Sequence, residues 1–232
     1  MGFAYKIEIY SRQENNPKFR LDNEPDIGAS GNVVIRLIRE VPRYQNYKSY
    51  FDRYYTSMDL VVYLFKLGVQ SVGTIQRNRI PNCKFQSEKE LKKDARDYSE
   101  EYITTVDNVD ISSVLYKDNN IVCLLSTFVG ELPKSEVIRF DRKKREHRMV
   151  QCPVVSVYNS HMGNVDLLDS NIGRCHIKIR SKRWYLRLFF HLIDIIVINS
   201  WILYRRVLME KTAANMPMNQ KKFRTELAQT LC

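Results

Sequence analysis

The 232-residue chain is 44% hydrophobic, enough for one sizeable core, which excludes a disordered polymer. Its 37 Lys and Arg against 26 Asp and Glu give a formal charge of +11, which suits a polyanionic partner, although a basic solubilising surface explains the same number. Five dispersed cysteines (Cys83, Cys123, Cys152, Cys175 and Cys232) with no Cys-x-x-Cys pair, and four dispersed histidines, exclude a disulfide frame and a zinc knuckle; free thiols in a reducing compartment are expected.

In chain order, Met1 to Lys6 lacks a basic start followed by an apolar block, so no signal peptide is expected. Ala4 to Tyr10 reads as a strand with Tyr5, Ile7 and Ile9 on one face, and Arg12 to Gly31 as a loop. Asn32 is the expected cap of a helix that carries Val33, Ile35, Leu37 and Ile38 and stops before Pro42. A strand over Tyr47 to Phe51 delivers Asp52 at its carboxyl end, where mixed sheets commonly hold ligands. Ser57 or Thr56 caps a helix from Met58 to Leu67, Gly68 stops it, and Val69 to Ile75 returns as a strand. Strand, helix and strand in this order predict a crossover and a helix-covered sheet.

Asn78 to Ser99 reads as a charged, mobile connection with a short helix over Glu88 to Asp97. Tyr102 to Val106, Ile111 to Tyr116 and Ile121 to Thr127 are short strands, the last two joined by a hairpin across Lys117 to Asn120; an inserted subdomain and an extension of the main sheet both fit. Arg142 to Arg148 is a compact basic run, suited to nuclear import or to phosphate contact.

Val150 to Tyr158 is expected as a strand, followed by a helix starting near Ser160 with Asn159 as its cap. That helix places Val165, Leu168 and Ile172 on one stripe and Asp166 and Asp169 on its neighbour; from this helix alone a solvated acidic face explains the pair more simply than a metal site. Arg174, His176, Lys178, Arg180, Lys182 and Arg183 then form a basic cluster, with Trp184 expected in the core. Trp184 to Tyr204 carries Arg187, His191, Asp194 and Asn199, too polar for about 20 lipid-facing residues, so a buried helix and no membrane partner are expected. From Lys211 the tail reads as flexible or weakly helical.

These blocks, taken together and in order, resemble the piggyBac-type transposases and the host proteins derived from them. Ile27 to Ser30 with Val33 to Leu37 resembles the family's turn and first helix, Phe51 to Ser57 its DNxFTS block, and Gly73 to Arg79 its GT-R-NR strand and turn. Val122 to Thr127 resembles its next strand, Tyr158-Asn159 with Met162 to Asp169 its YN-MGGVD-LD signature, and Lys182 to Trp184 with Ile198 to Ser200 its RW…INS helix. The resemblance implies an α/β fold, an RNase H-like mixed sheet with flanking helices and a small β-rich insertion. The chain divides accordingly into a first core part (1–77), a connection with the insertion (78–149), a second core part (150–209) and a basic tail (210–232). It also implies nuclear action on DNA, with two Mg²⁺ ions held by three aspartates. Asp52 matches the second of these and Asp166 the third, both metal ligands, and Asp169 a further acid of the signature. Such ions activate the attacking oxygen and steady the leaving one.

The family's first aspartate falls just before the segment that Gly2 to Tyr5 resembles, and Glu8, Asp22 and Asp26, the nearest acids, stand elsewhere. The family's long N-terminal region and its C-terminal zinc module are not matched either, and Asn164 replaces its usual second glycine. The expectation is a transposase-derived, catalytically defective DNA-associated protein with vestigial Asp52, Asp166 and Asp169, weakened Mg²⁺ binding, and DNA contacts from Arg174, Lys178, Arg180, Lys182 and Arg183. An active Mg²⁺-dependent transposase or nuclease, and a noncatalytic assembly partner, as a homo-oligomer or with related transposase chains, are the alternatives.

Overall fold

A computed structural model of the chain describes residues 2–13, 15–91, 93, 98–118, 120–132, 136–141, 146–151, 153–211 and 216–231. Its contacts divide it into two units, one of residues 8–162 and the other of residues 1–7 with 163–232.

The larger unit is built on a five-stranded mixed sheet. Strands β1 (Lys48–Phe51) and β2 (Gln70–Thr74) run parallel, joined by helix α2 (Met58–Lys66), which is the crossover that the sequence predicts. Strands β3 (Ser99–Val106), β4 (Val109–Lys117) and β5 (Ile121–Ser126) add antiparallel, in the order β1-β2-β5-β4-β3. Of the two arrangements open for this all-strand patch, sheet extension is the one realised. Alternation along β4 explains how it serves two layers: Val109, Ile111 and Leu115 join the core under α2 and helix α1 (Gly28–Leu37), while Val114 and Tyr116 face the core under helix α4 (Pro153–Met162).

Local signals explain where α2 starts and stops. Ser57 is extended and its hydroxyl accepts the Leu60 N–H, while Gly68 ends the helix at φ +75°, where a Cβ would lie 2.6 Å from the Tyr44 backbone. Gly73 on β2 is needed for space: a Cβ there would meet Thr56 Oγ1 at 2.3 Å and the Phe51 carbonyl at 2.8 Å. Gly73→Ala is therefore expected to destabilise the protein by about 1–3 kcal/mol, read as a lower urea midpoint at unchanged slope.

Several expected elements take another form. Helix α1 begins at Gly28, four residues before Asn32, because Asp26 and Asn32 cap it jointly. Asp26 Oδ1 accepts from Gly28 N–H at 3.1 Å and from Asn32 Nδ2 at 2.9 Å, while Asn32 Oδ1 accepts the Ile27 N–H. The hydrogen bond from Asn32, then that from Arg20, lowers the Asp26 pKa from 3.8 to about 2. The short helix of the charged connection is α3 (Glu88–Leu91); residues 94–97 lie outside the described residues.

Residues 153–158, expected as a strand, are helical. Val154, Val155, Tyr158 and Met162 recur at helical spacing against the sheet, and proline at the first helical position suits this start. A run of β-branched residues hid that period. Strands β6 (Glu136–Asp141) and β7 (Glu146–Gln151) form a separate antiparallel pair, which was not anticipated; residues 142–145 of the basic run lie outside the described residues.

The described residues of the smaller unit form helices α5 (Asn164–Arg174), α6 (Trp184–Lys211) and α7 (Gln220–Leu231). Helix α5 starts at Asn164, with Gly163 at the cap position and Asn159 back inside α4. The tail is thus more ordered than expected: Trp201 Nε1 donates to Met218 O at 2.9 Å, Gln220 Nε2 to Asn171 O at 2.8 Å, and Tyr204 packs on Phe223. Residues 4–10 are not a strand, and Tyr5, Ile7 and Ile9 are all exposed. Gly2 and Ala4 are fixed by side-chain amides in place of a ladder. Asn199 accepts from Ala4 N–H at 3.0 Å and donates to Ala4 O at 2.7 Å, and Asn164 Oδ1 accepts from Gly2 N–H at 3.3 Å.

Helix α6 is long and apolar enough to cross a membrane by length and composition. The expected burial holds for one stripe only, Asp194, Ile195, Ile198, Trp201 and Ile202, whereas Phe189, Ile196 and Leu203 are exposed. Its buried carboxylate and Asn199 are both bonded to protein partners, which a lipid-facing helix does not offer. Cys83 and Cys175 are free thiols.

Candidate functional sites

In the larger unit, Asp52 ends β1 as expected. It opens a tight turn in which Tyr55 and Thr56 N–H both donate to its carbonyl, at 3.0 and 3.2 Å. Its Oδ1 accepts from Arg53 N–H at 2.6 Å and from Thr74 Oγ1 at 3.3 Å, while Oδ2 has no partner among the described residues. The Tyr158 hydroxyl lies 3.4 Å from Thr74 Oγ1 and donates to Phe51 O at 3.2 Å. The sequence marks Tyr158 as the end of an expected strand and as part of a signature, with no role beside Asp52. Burial raises its pKa, so it remains a hydrogen-bond donor at neutral pH. Three separated blocks, ending β1, ending β2 and lying on α4, thus meet around one carboxylate. His161, one turn further on α4, stacks on Tyr50 with ring centroids 4.4 Å apart and planes 6° apart.

Asp52 has the donor chemistry of a magnesium ligand, one oxygen braced and one open. Among the described residues, however, no three His, Cys, Asp or Glu side chains gather closely enough to hold a metal. In the smaller unit, Asp166 and Asp169 stand exposed on α5, with no hydrogen-bond partner among the described residues. Val165, expected on the buried stripe, is exposed, so α5 packs chiefly through Leu168, Asn171 and Ile172.

The basic cluster has a more definite geometry. Residues 176–181 run between α5 and α6 without helix or ladder, and their burial alternates: His176, Lys178, Arg180 and Lys182 are exposed, Ile177, Ile179 and Ser181 half-buried. This period of two puts cations on one side of an extended segment. Arg174 and Arg183 stand exposed at its two ends.

Asp194, 3% exposed, fixes the segment: Oδ2 accepts from Ile177 N–H at 3.0 Å and Oδ1 pairs with Arg224 at 2.7 Å. Arg187 Nε donates to Ser181 O at 2.9 Å. A groove of about 350 Å³ results, with His176, Lys178, Arg180, Arg187 and His191 on its wall and Asp194 at its base. Trp184, expected in the core, is 73% exposed beside this segment, because it begins α6 ahead of the helix's buried stripe. The roles of Asp194 and Arg224 were missed; a lone acid in an apolar helix was the available signal, since buried carboxylates need a partner.

A family model described as "Transposase IS4" matches residues 1–201. Human PiggyBac transposable element-derived protein 2 is 30% identical over 190 residues, 79% of this chain and 31% of the relative. Human PiggyBac transposable element-derived protein 3 is 30% identical over 227 residues, 97% of this chain and 36% of the relative. This chain belongs to the piggyBac-type transposase family. It spans about a third of the length of those curated relatives. A piggyBac transposase solved by cryo-EM in a synaptic complex with hairpin DNA is similar in fold, with a TM-score of 0.63 at 23% identity, covering 90% of this chain and 41% of that one. The mixed sheet with flanking helices is therefore the piggyBac, RNase H-like architecture.

Proposed function

We propose that this chain is a DNA-associated protein of piggyBac transposase descent that holds DNA phosphates along Arg174, Lys178, Arg180, Lys182 and Arg183 and does not by itself sustain strand cleavage. The observation that carries this reading is the extended segment with its cations on one side, fixed from below by Asp194. Cations in a fixed row match a repeating phosphate backbone, and Trp184 beside them offers a ring for stacking. The relative solved with hairpin DNA supports DNA as the polyanion. A nuclear location and assembly with itself or with related transposase chains belong to the same proposal.

The metal roles of Asp52, Asp166 and Asp169 rest on the family resemblance. Bound magnesium would activate an attacking oxygen and stabilise a leaving one. This chain's own contribution is Thr74 and the Arg53 N–H, which orient the Asp52 carboxylate and leave Oδ2 open. That braced carboxylate favours a second reading, a Mg²⁺-dependent nuclease.

Incubating the protein with supercoiled plasmid and Mg²⁺, beside gel shifts in rising salt, separates the two. The expected result is salt-sensitive binding with no nicked product, unchanged by Asp52→Ala. Nicking that Asp52→Ala and Asp166→Ala each abolish would establish the second reading, and the absence of any DNA shift at low salt would defeat both.

A further inference from the structure

A small cleft in the larger unit lies beside the turn that Asp52 opens. Tyr10, Tyr54 and Tyr55 line it together with Glu8, Ala29, Ser30 and Val33, around a volume of about 120 Å³. Tyr10 is 71% and Tyr54 56% exposed, and the Tyr54 and Tyr55 rings meet edge to face at 5.0 Å. The three phenol hydroxyls and the half-buried Ser30 hydroxyl have no hydrogen-bond partner among the described residues. Glu8 is held in place by Arg36, whose Nε donates to both of its oxygens, at 2.9 and 3.1 Å.

The cleft is rigidly tied to Asp52. Tyr54 and Tyr55 lie in the turn closed on the Asp52 carbonyl, and Arg79 Nη1 donates to Arg53 O at 2.8 Å, clamping the same turn. Arg53 is exposed in that turn next to Tyr54, and Arg79, exposed in the segment after β2, also reaches the Tyr54 carbonyl at 3.4 Å.

We propose that this cleft receives one unpaired nucleobase of a DNA end, stacked on Tyr10 or Tyr54, with the adjoining phosphate met by Arg53 and Arg79. This rests on the DNA-binding reading above and adds a second, structurally separate contact to it. Ring-sized space, exposed aromatic faces, a fixed carboxylate for exocyclic amines and flanking guanidinium groups suit a base on its phosphodiester. A proline-rich peptide also docks on tyrosines, but it needs an extended groove and no cations.

The test compares a fluorescent blunt duplex with the same duplex carrying a short single-stranded overhang, by anisotropy with the full chain. The overhang is expected to tighten binding about tenfold, a stacking-sized gain. Tyr10→Ala with Tyr54→Ala should abolish that gain and leave blunt-duplex affinity unchanged, Tyr54→Phe should keep it, and an abasic overhang should behave as blunt. An overhang preference that is absent, or that survives the double substitution, overturns the inference while duplex binding still stands. Loss of binding to both DNAs overturns the DNA reading itself, and displacement of the overhang by a proline-rich peptide but not by mononucleotides would assign the cleft to protein.

Discussion

Asp194→Ala is expected to destabilise the protein by about 3 kcal/mol or more, and to loosen the basic segment at the same time. The carboxylate is buried beneath residues 176–181 and holds two partners, the Ile177 N–H and the Arg224 guanidinium. Removing one member of a buried ion pair leaves the other charge desolvated, which costs about 3–5 kcal/mol, far more than a surface pair contributes. Arg224 is the member left behind, and its Nη1 is already buried without a hydrogen bond. Asp194→Asn retains an acceptor for Ile177 but not the charge for Arg224, so it should fall between wild type and alanine. Asp194→Leu with Arg224→Met should recover most of the loss, because apolar side chains of similar size avoid the desolvation cost. Urea unfolding followed by circular dichroism reads these differences as midpoint shifts. A midpoint unchanged by Asp194→Ala would mean that the pair is not holding α6 and α7 together.

Replacing Lys178, Arg180, Lys182 and Arg183 with alanine is expected to lower the salt dependence of DNA binding by about three to four units of log K against log salt. Each cation seated on a phosphate releases a condensed counterion and contributes about 0.9 to that slope. At 0.1 M salt the same arithmetic predicts a loss on the order of 10³-fold in affinity, converging on wild type as salt rises. These side chains are exposed, so the fold should be unaffected. Lys66→Ala, which removes a surface cation already paired with Asp107 at 2.8 Å, should leave the slope nearly unchanged. Slopes measured by anisotropy from 50 to 200 mM salt decide the matter: four substitutions without effect on slope would remove the segment from the interface.

The sequence by itself determined the elements whose signals are local. The period of α2 between Ser57 and Gly68, the parallel pair around it, the hairpin of β4 and β5, and Asp52 at the end of β1 depend on neighbours a few residues away. Family membership was legible for a related reason, since it lies in the order of short blocks. What those blocks do was not legible: that Thr74 braces Asp52, with the Tyr158 hydroxyl beside Thr74, depends on contacts across as many as 107 residues, between Tyr158 and Phe51. The same limit explains the errors. Residues 4–10 have a strand's alternation, yet Ala4 is captured by the Asn199 amide; residues 153–158 have a strand's composition, yet an apolar layer of the sheet selects their helical face. Tertiary structure alone decided that Trp184 is exposed and that Asp194 and Arg224 fix the basic segment from beneath, because a buried charge is settled by its partner, and the partner lies 30 residues away.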